Sequence, residues 1–245
     1  MKRLAIIQPN YIPWKGYFDI INAVDEFILY DTVQYTRGSW RNRNRIKTEN
    51  GLLWLTIPVR FSLKQPQDIA DVVVSDPHWA RRHWKSITQT YGRFPHFPEI
   101  GDALRGAYAR AEGETLLSRI DQVFLEAVMG ILGISTPLVW SSEYGPLEGD
   151  ATDKVVQLCA RAGAGAYVTG PAARDYLEVA RLAAAGCAVR WVDYSGYPAY
   201  EQGPGPFEHG VSIVDMLARL GVEACRRCML SFPESGRLDH LLPRE

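Results

Sequence analysis

The sequence predicts an α/β fold: a mostly parallel, Rossmann-like three-layer sheet with a helical middle segment. Three observations predict it. Residues 1–30 read as strand, loop, helix and strand. Residues 136–193 alternate strand and helix again. Residues 77–133, between these two parts, carry mostly helical periodicity. Two strands joined by a single helix are most simply parallel, with a right-handed crossover.

The apolar run 4–7 is too short for a helix and reads as a buried strand that stops at Gln8-Pro9. From 14 to 24, Tyr17, Phe18, Ile20, Ile21 and Val24 recur at helical spacing, and 26–30 is a second strand that ends at Asp31. Residues 52–58 and 70–75 read as strands around a loop at 60–68. Asp76-Pro77 opens a helix that ends at Gly92, with Asp76 as its N-cap. After a proline-rich loop at 93–98, helices follow to 110 and over 114–132, the last closed by Gly133. A strand at 136–140 leads to a helix capped by Asp150 or Thr152 and running to 162. Then come strand 166–169, helix 173–185, strand 189–193 and a final helix at 211–220. The chain reads as one domain over 1–245, with a helical insertion at 77–133 and a frayed tail at 233–245.

Composition narrows the function classes. Hydrophobic residues make up 47% and charged residues 22% of the 245, an ordinary globular mixture, and the net charge of −1 gives no global attraction to nucleic acid or anionic membrane. Cys159, Cys187, Cys225 and Cys228 are too few for a disulfide framework, and Cys225-Arg-Arg-Cys228 is a lone CxxC. No signal-peptide pattern precedes Leu4, and no run approaches the roughly 20 apolar residues of a membrane span. The expectation is a soluble, cytoplasmic protein. The five histidines form no metal-binding pair, and GxGxxG, P-loop and GxSxG patterns are absent from the sequence.

The candidate site residues cluster at predicted strand ends, where open α/β sheets hold ligands. Gln8, Asn10 and Tyr17 belong to the loop after the first strand, which leads into a helix N-terminus that favours an anion. Asp31 closes the second strand and is the candidate base, with capping of the next turn as its plain structural alternative. Arg41, Arg43 and Arg45 alternate with Asn42 and Asn44, so an extended backbone would present an arginine comb to phosphate or carboxylate, with Tyr35 nearby. A charged edge strand is the plainer account of the same run. Arg174 lies in the turn after strand 166–169. Tyr200, Gln202 and the candidate acid/base His209 lie in a long loop too rich in Tyr, Gln, Gly and His for a simple connector.

Residues 8–46, from QPNYIPWKGYF to NRNRI, resemble the opening of the WbqC-like proteins, which share QP-x-x-x-P-x-x-GYF, an acidic residue after the second strand and the N-R-N-R-I signature. AGAGAYVTGPAARDYL and YEQGPGPFEHGVSIVDML resemble that family's C-terminal half. Thr32 and Gly170-Pro171-Ala172 depart from its commoner residues. The resemblance implies a role in bacterial surface-polysaccharide or other glycan assembly, modifying an amino sugar or related amine, for instance by N-acylation. The strand, QP loop and Gly-Tyr helix start are also similar to the Gly-His helix start of HIGH-type nucleotidyltransferases and pantothenate synthetases. Here Tyr17 replaces the histidine, and a KMSKS-like segment is missing from the sequence.

Two expectations follow. One is a transferase or amide-forming ligase for a small anionic or sugar-like substrate, with a nucleotide or activated acyl donor and no metal. The other is a non-catalytic nucleotide-sugar or glycan-binding partner in a biosynthetic complex. Nucleic acid is disfavoured by the net charge.

Overall fold

The computed structural model describes residues 1–62 and 64–243. Its centre is a five-stranded, fully parallel sheet of β1 (Arg3–Ile7), β2 (Glu26–Leu29), β7 (Leu138–Trp140), β8 (Ala166–Thr169) and β9 (Ala188–Trp191), in the spatial order β7-β2-β1-β8-β9. The chain builds outward from β1 to β2 and β7, then crosses to the other side of β1 for β8 and β9. That order is the Rossmann-like, doubly wound one, and it reverses between β1 and β8.

Side chains of successive strand residues alternate between the two faces. Ala5, Phe27, Leu29 and Val168 enter a core with α1 (Lys15–Ala23), α2 (Trp79–Tyr91), α3 (Phe97–Glu112), α4 (Leu117–Leu132), α7 (Ile213–Leu220) and α8 (Val222–Cys228). Leu4, Ile6, Ile28, Tyr167 and Val189 enter a second core with α5 (Ala151–Arg161) and α6 (Val179–Ala184). Both faces of the sheet are therefore covered by helices, which is why its strands read as near-continuous apolar runs. Among the described residues, no helix is long and apolar enough to cross a membrane.

Between β2 and α2, the hairpin β3 (Arg43–Thr48) and β4 (Gly51–Thr56) stands apart from the central sheet, followed by a short pair β5 (Val59–Arg60) and β6 (Val73–Val74). The strands expected at 52–58 and 70–75 are thus divided, with Ile69–Asp71 forming a 3-10 turn. α2 begins at Trp79 rather than directly after Asp76, whose carboxylate accepts from the His78 amide and pairs with Arg82. α4 starts at Leu117, because the Glu114 side chain takes the amides of Thr115 and Leu116 and Thr115 pairs with Val74. The helix expected at 173–185 splits into a 3-10 turn, Pro171–Asp175, and α6. Thr152 bonds both Tyr176 and Glu178 across that break. Asp150, not Thr152, caps α5, through a reciprocal pair with Asp153. The tail after Phe232 is not frayed up to residue 243. It forms α9 (Leu238–Leu241), buries Leu241 and bonds Asp193 through the Leu241 carbonyl; residues 244 and 245 lie outside the described residues.

The hairpin is tied to the loop after β1 by one carboxamide. Asn44 Nδ2 donates to the carbonyls of Tyr11 (3.1 Å) and Ile12 (3.0 Å), while its Oδ1 accepts from the Arg45 amide at 2.7 Å. Ile12 has φ 34°, a costly conformation for a β-branched residue, and it persists because the surrounding bonds fix it. Replacing Asn44 with Asp would turn both donors into a carboxylate facing two carbonyl oxygens. Asn44→Asp is expected to cost about 3 kcal/mol or more, seen in urea unfolding as a lowered midpoint with an unchanged slope.

Candidate functional site

A crevice of about 710 Å³ opens at the point where the strand order reverses. The ends of β1 and β8 bring Ile7, Gln8, Thr169 and Gly170 to its floor, and the flanking loops add Asn10, Trp14, Arg41 and Tyr194. Tyr17 joins the lining from the α1 face of the sheet; Tyr30, Asp150 and Lys154 of the α5 start, and Tyr176 complete it, with Tyr30 packed in the core that α5 covers. Gly16 lets the Trp14 indole fold back over the start of α1, since a Cβ there would lie 2.4 Å from the ring. Trp14 then meets Tyr194 edge-on at 5.0 Å. The N-terminus of α5 is already satisfied by Asp150, whereas α1 begins with no capping side chain and no acidic residue in its first turn.

Arg41 is the unusual member. Its Nε is buried without a partner, and no hydrogen bond or ion pair within 4.0 Å engages its guanidinium among the described residues. Burial lowers its pKa, partly offset by Tyr17, Asp121 and Tyr35. The residue is half-buried, and the buried Nε is costly unless something completes it.

Behind Arg41 lies a second uncompensated group. Asp121 of α4 is fully buried, and neither carboxylate oxygen has a hydrogen-bond partner among the described residues. Burial pushes its carboxyl well above the usual carboxylate range, with the Arg41 charge opposing that shift. Tyr35 adds a buried hydroxyl that is also unpartnered, and Tyr17 spends its hydroxyl on the Gln8 carbonyl at 3.0 Å.

The structure thus brings Gln8, Asn10, Tyr17 and Arg41 together, and disperses the other sequence candidates. The arginines do not form one comb, because Arg41 precedes β3 and escapes its two-residue alternation. Arg43 and Arg45 do share a face, at 4.3 and 5.4 Å from the Trp54 ring, and Arg45 pairs with Glu208 at 3.5 Å. Tyr35, Asn42 and Arg43 line a separate hollow with Arg37. Asn42 and Asn44 point inward and are buried, Asn42 donating to the Ile57 carbonyl. Asp31 is outside the crevice lining. Ser141 donates to it at 3.1 Å, and burial raises its pKa against that bond. Arg174 is exposed and stacks over Trp191 at 4.3 Å.

Tyr200 and Gln202 both bond the buried Asp215, which also accepts from Tyr91 and Arg219, so these two candidates pin the long loop to α7. His209 takes a hydrogen bond on Nδ1 from Lys15 at 3.2 Å, and burial lowers the Lys15 pKa to about 8. The CxxC cysteines lie on α8, with Cys225 fully buried. Among the described residues, no group of three or more His, Cys, Asp or Glu is arranged to hold a metal ion.

Sequence reasoning passed over Asp121, although a signal was present. It shares a helix face with Leu117, Phe124, Leu125 and Val128, where a charge is out of place. Lys154 carried no such signal, since one turn into a capped helix it reads as a solvated residue.

The WbqC-like protein family profile matches residues 8–227. The chain belongs to the WbqC-like family. It is 45% identical over 224 residues to a Mycobacterium tuberculosis protein described as the uncharacterized protein Rv1507c, covering 91% of this chain and 96% of the relative. No solved structure gives a significant match.

The Asp121 carboxyl yields a pH prediction. Its folded pKa is raised, so the folded state holds the proton where the unfolded chain releases it, and wild-type stability falls as pH rises from about 4 through the folded pKa. Asp121→Asn removes that loss. Urea unfolding should show the variant matching wild type near pH 4 and exceeding it at pH 7 by about 1 kcal/mol or more; a gap independent of pH would contradict the assignment.

Proposed function

We propose that this WbqC-like protein is a transferase or amide-forming ligase that modifies an amine or amino-sugar substrate, using an anionic activated donor, in bacterial surface-glycan or related biosynthesis. The observation that carries the reading is the partnerless Arg41 guanidinium in the wall of the switch-point crevice. A phosphate or carboxylate would complete it with two parallel charge-assisted bonds. Lys154 and the uncapped start of α1 favour the same sign of ligand. The aromatic walls of Trp14, Tyr30, Tyr176 and Tyr194 suit a ring, and the volume suits a small molecule rather than a polymer.

In this reading Arg41 binds the donor's anionic group and stabilises charge that develops on it during transfer. Asp31 adjoins Tyr30 at the carboxyl end of β2 and is the carboxylate available to orient or deprotonate the amine. Burial raises its pKa, which makes it a stronger base than an exposed carboxylate. One observation favours the second reading, a non-catalytic binder: Asp31 is turned toward Ser141 and lies outside the crevice lining.

A thermal-shift screen of nucleotides, sugar nucleotides and acyl phosphates tests the anion site. A ligand at 100 times its dissociation constant should stabilise wild type by about 2.7 kcal/mol, and Arg41→Met should lose that shift while keeping its own fold. Equal shifts in the two proteins would sink the Arg41 assignment. With a ligand in hand, Asp31→Asn should abolish turnover and spare the shift; unchanged turnover would remove Asp31 from the chemistry.

A further inference from the structure

Beside the crevice lies a second hollow of about 370 Å³, lined by Asn10, Pro13, Trp14, Trp40, Asn44, His209 and Gly210. Asn10 and Trp14 belong to both cavities. The lining of the hollow contains no Lys, Arg, Asp or Glu, in contrast to the crevice with Arg41, Asp150 and Lys154. The charged groups near it are engaged elsewhere. Arg45 is paired with Glu208, and Lys15 is spent on His209 and on the Tyr197 ring, 4.8 Å away.

Two polar groups in this lining are left for a ligand. Among the described residues, Asn10 makes no side-chain hydrogen bond, and its Oδ1 is buried without a partner. His209 Nδ1 accepts a hydrogen bond from the Lys15 ammonium, which assigns the ring proton to Nε2, and Nε2 has no partner among the described residues. Burial and the Lys15 charge both lower the His209 pKa, consistent with that neutral tautomer. The large apolar surfaces are indoles. Trp40 is 41% exposed, yet it is held by Trp54 at 5.5 Å and by the Arg45 guanidinium at 5.6 Å.

We infer that this hollow is the neutral half of a bipartite site and holds a sugar ring, with Asn10 at the junction between that ring and the anionic group in the crevice. A sugar suits the lining because its C–H face packs on indole, while its hydroxyl and acylamino groups both donate and accept, matching Asn10 and the His209 Nε2–H. A charged group would meet no counter-charge here. The inference rests on the crevice being the anion site of the proposed function, and it assigns Trp40, Asn10 and His209 to recognition of the acceptor or of the sugar part of the donor.

Ligand-observed NMR with N-acetylglucosamine, a neutral ring carrying hydroxyls and one amide, tests it on the full chain. Wild type should show saturable binding with a Kd on the order of 1 mM, the range of a fragment this size. Trp40→Ala and His209→Ala should each weaken it at least fivefold with circular dichroism unchanged, and Arg41→Met should leave it intact. Phosphate, added separately, should respond to Arg41→Met and not to Trp40→Ala. Absence of saturable N-acetylglucosamine binding, or binding indifferent to both Trp40→Ala and His209→Ala, overturns the inference. Loss of the phosphate response alone would instead count against the crevice reading.

Discussion

The Asn44 carboxamide is the interaction on which the site depends. It joins the β3–β4 hairpin to the loop after β1 by holding the carbonyls of Tyr11 and Ile12. A loop with a β-branched residue at positive φ does not keep its shape alone. Held in this way, it places Asn10 and Trp14 as the partition between two cavities. The Tyr11 amide donates to Trp40, and the Pro13 carbonyl accepts from Ile213, so the partition is also fastened to the hairpin's leading turn and to α7. Asp19 performs a similar task from α1, accepting from Tyr197, Leu230 and Ser231 and so docking the C-terminal segment beneath the same helix.

Around this frame the molecule keeps groups that a stability-optimised core would not. Arg41 and Asp121 sense one another electrostatically but do not form an ion pair, and burial favours the protonated Asp121 carboxyl. Closing that gap would give each of them a partner. In the proposed reading, the open gap leaves the guanidinium to an external anion. Such local departures from good packing chemistry are concentrated where proteins bind and react. The contrast with Asp215 is instructive, since four donors complete that equally buried carboxylate and it serves only to fasten a loop.

The parts of the fold that depend on local pattern were legible in the sequence. The strand Ala166–Thr169 and the glycine-terminated helices α2 and α4 follow from apolar period and capping chemistry. The parallel, helix-covered sheet followed from the alternation of elements. The crossing of β8 to the far side of β1 did not, because it is decided by long-range pairing that no local window contains. The site divided in the same way. Gln8, Asn10 and Tyr17 reach the crevice because they follow a strand end. Tyr200 and Gln202 have the residue types of a binding loop, and only their common partner Asp215 shows that they are fasteners. Asp121 was hidden by its setting in an otherwise regular apolar helix face.

The central claim is that the unpaired Arg41 guanidinium makes the switch-point crevice an anion receptor. A crystal soaked in tungstate tests this most directly through its anomalous scattering. The account predicts a peak within hydrogen-bond distance of Arg41, inside the crevice bounded by Gln8 and Gly170, and its disappearance in Arg41→Met crystals. An empty crevice with anion peaks only at Arg37 and Arg43 of the neighbouring hollow would contradict it.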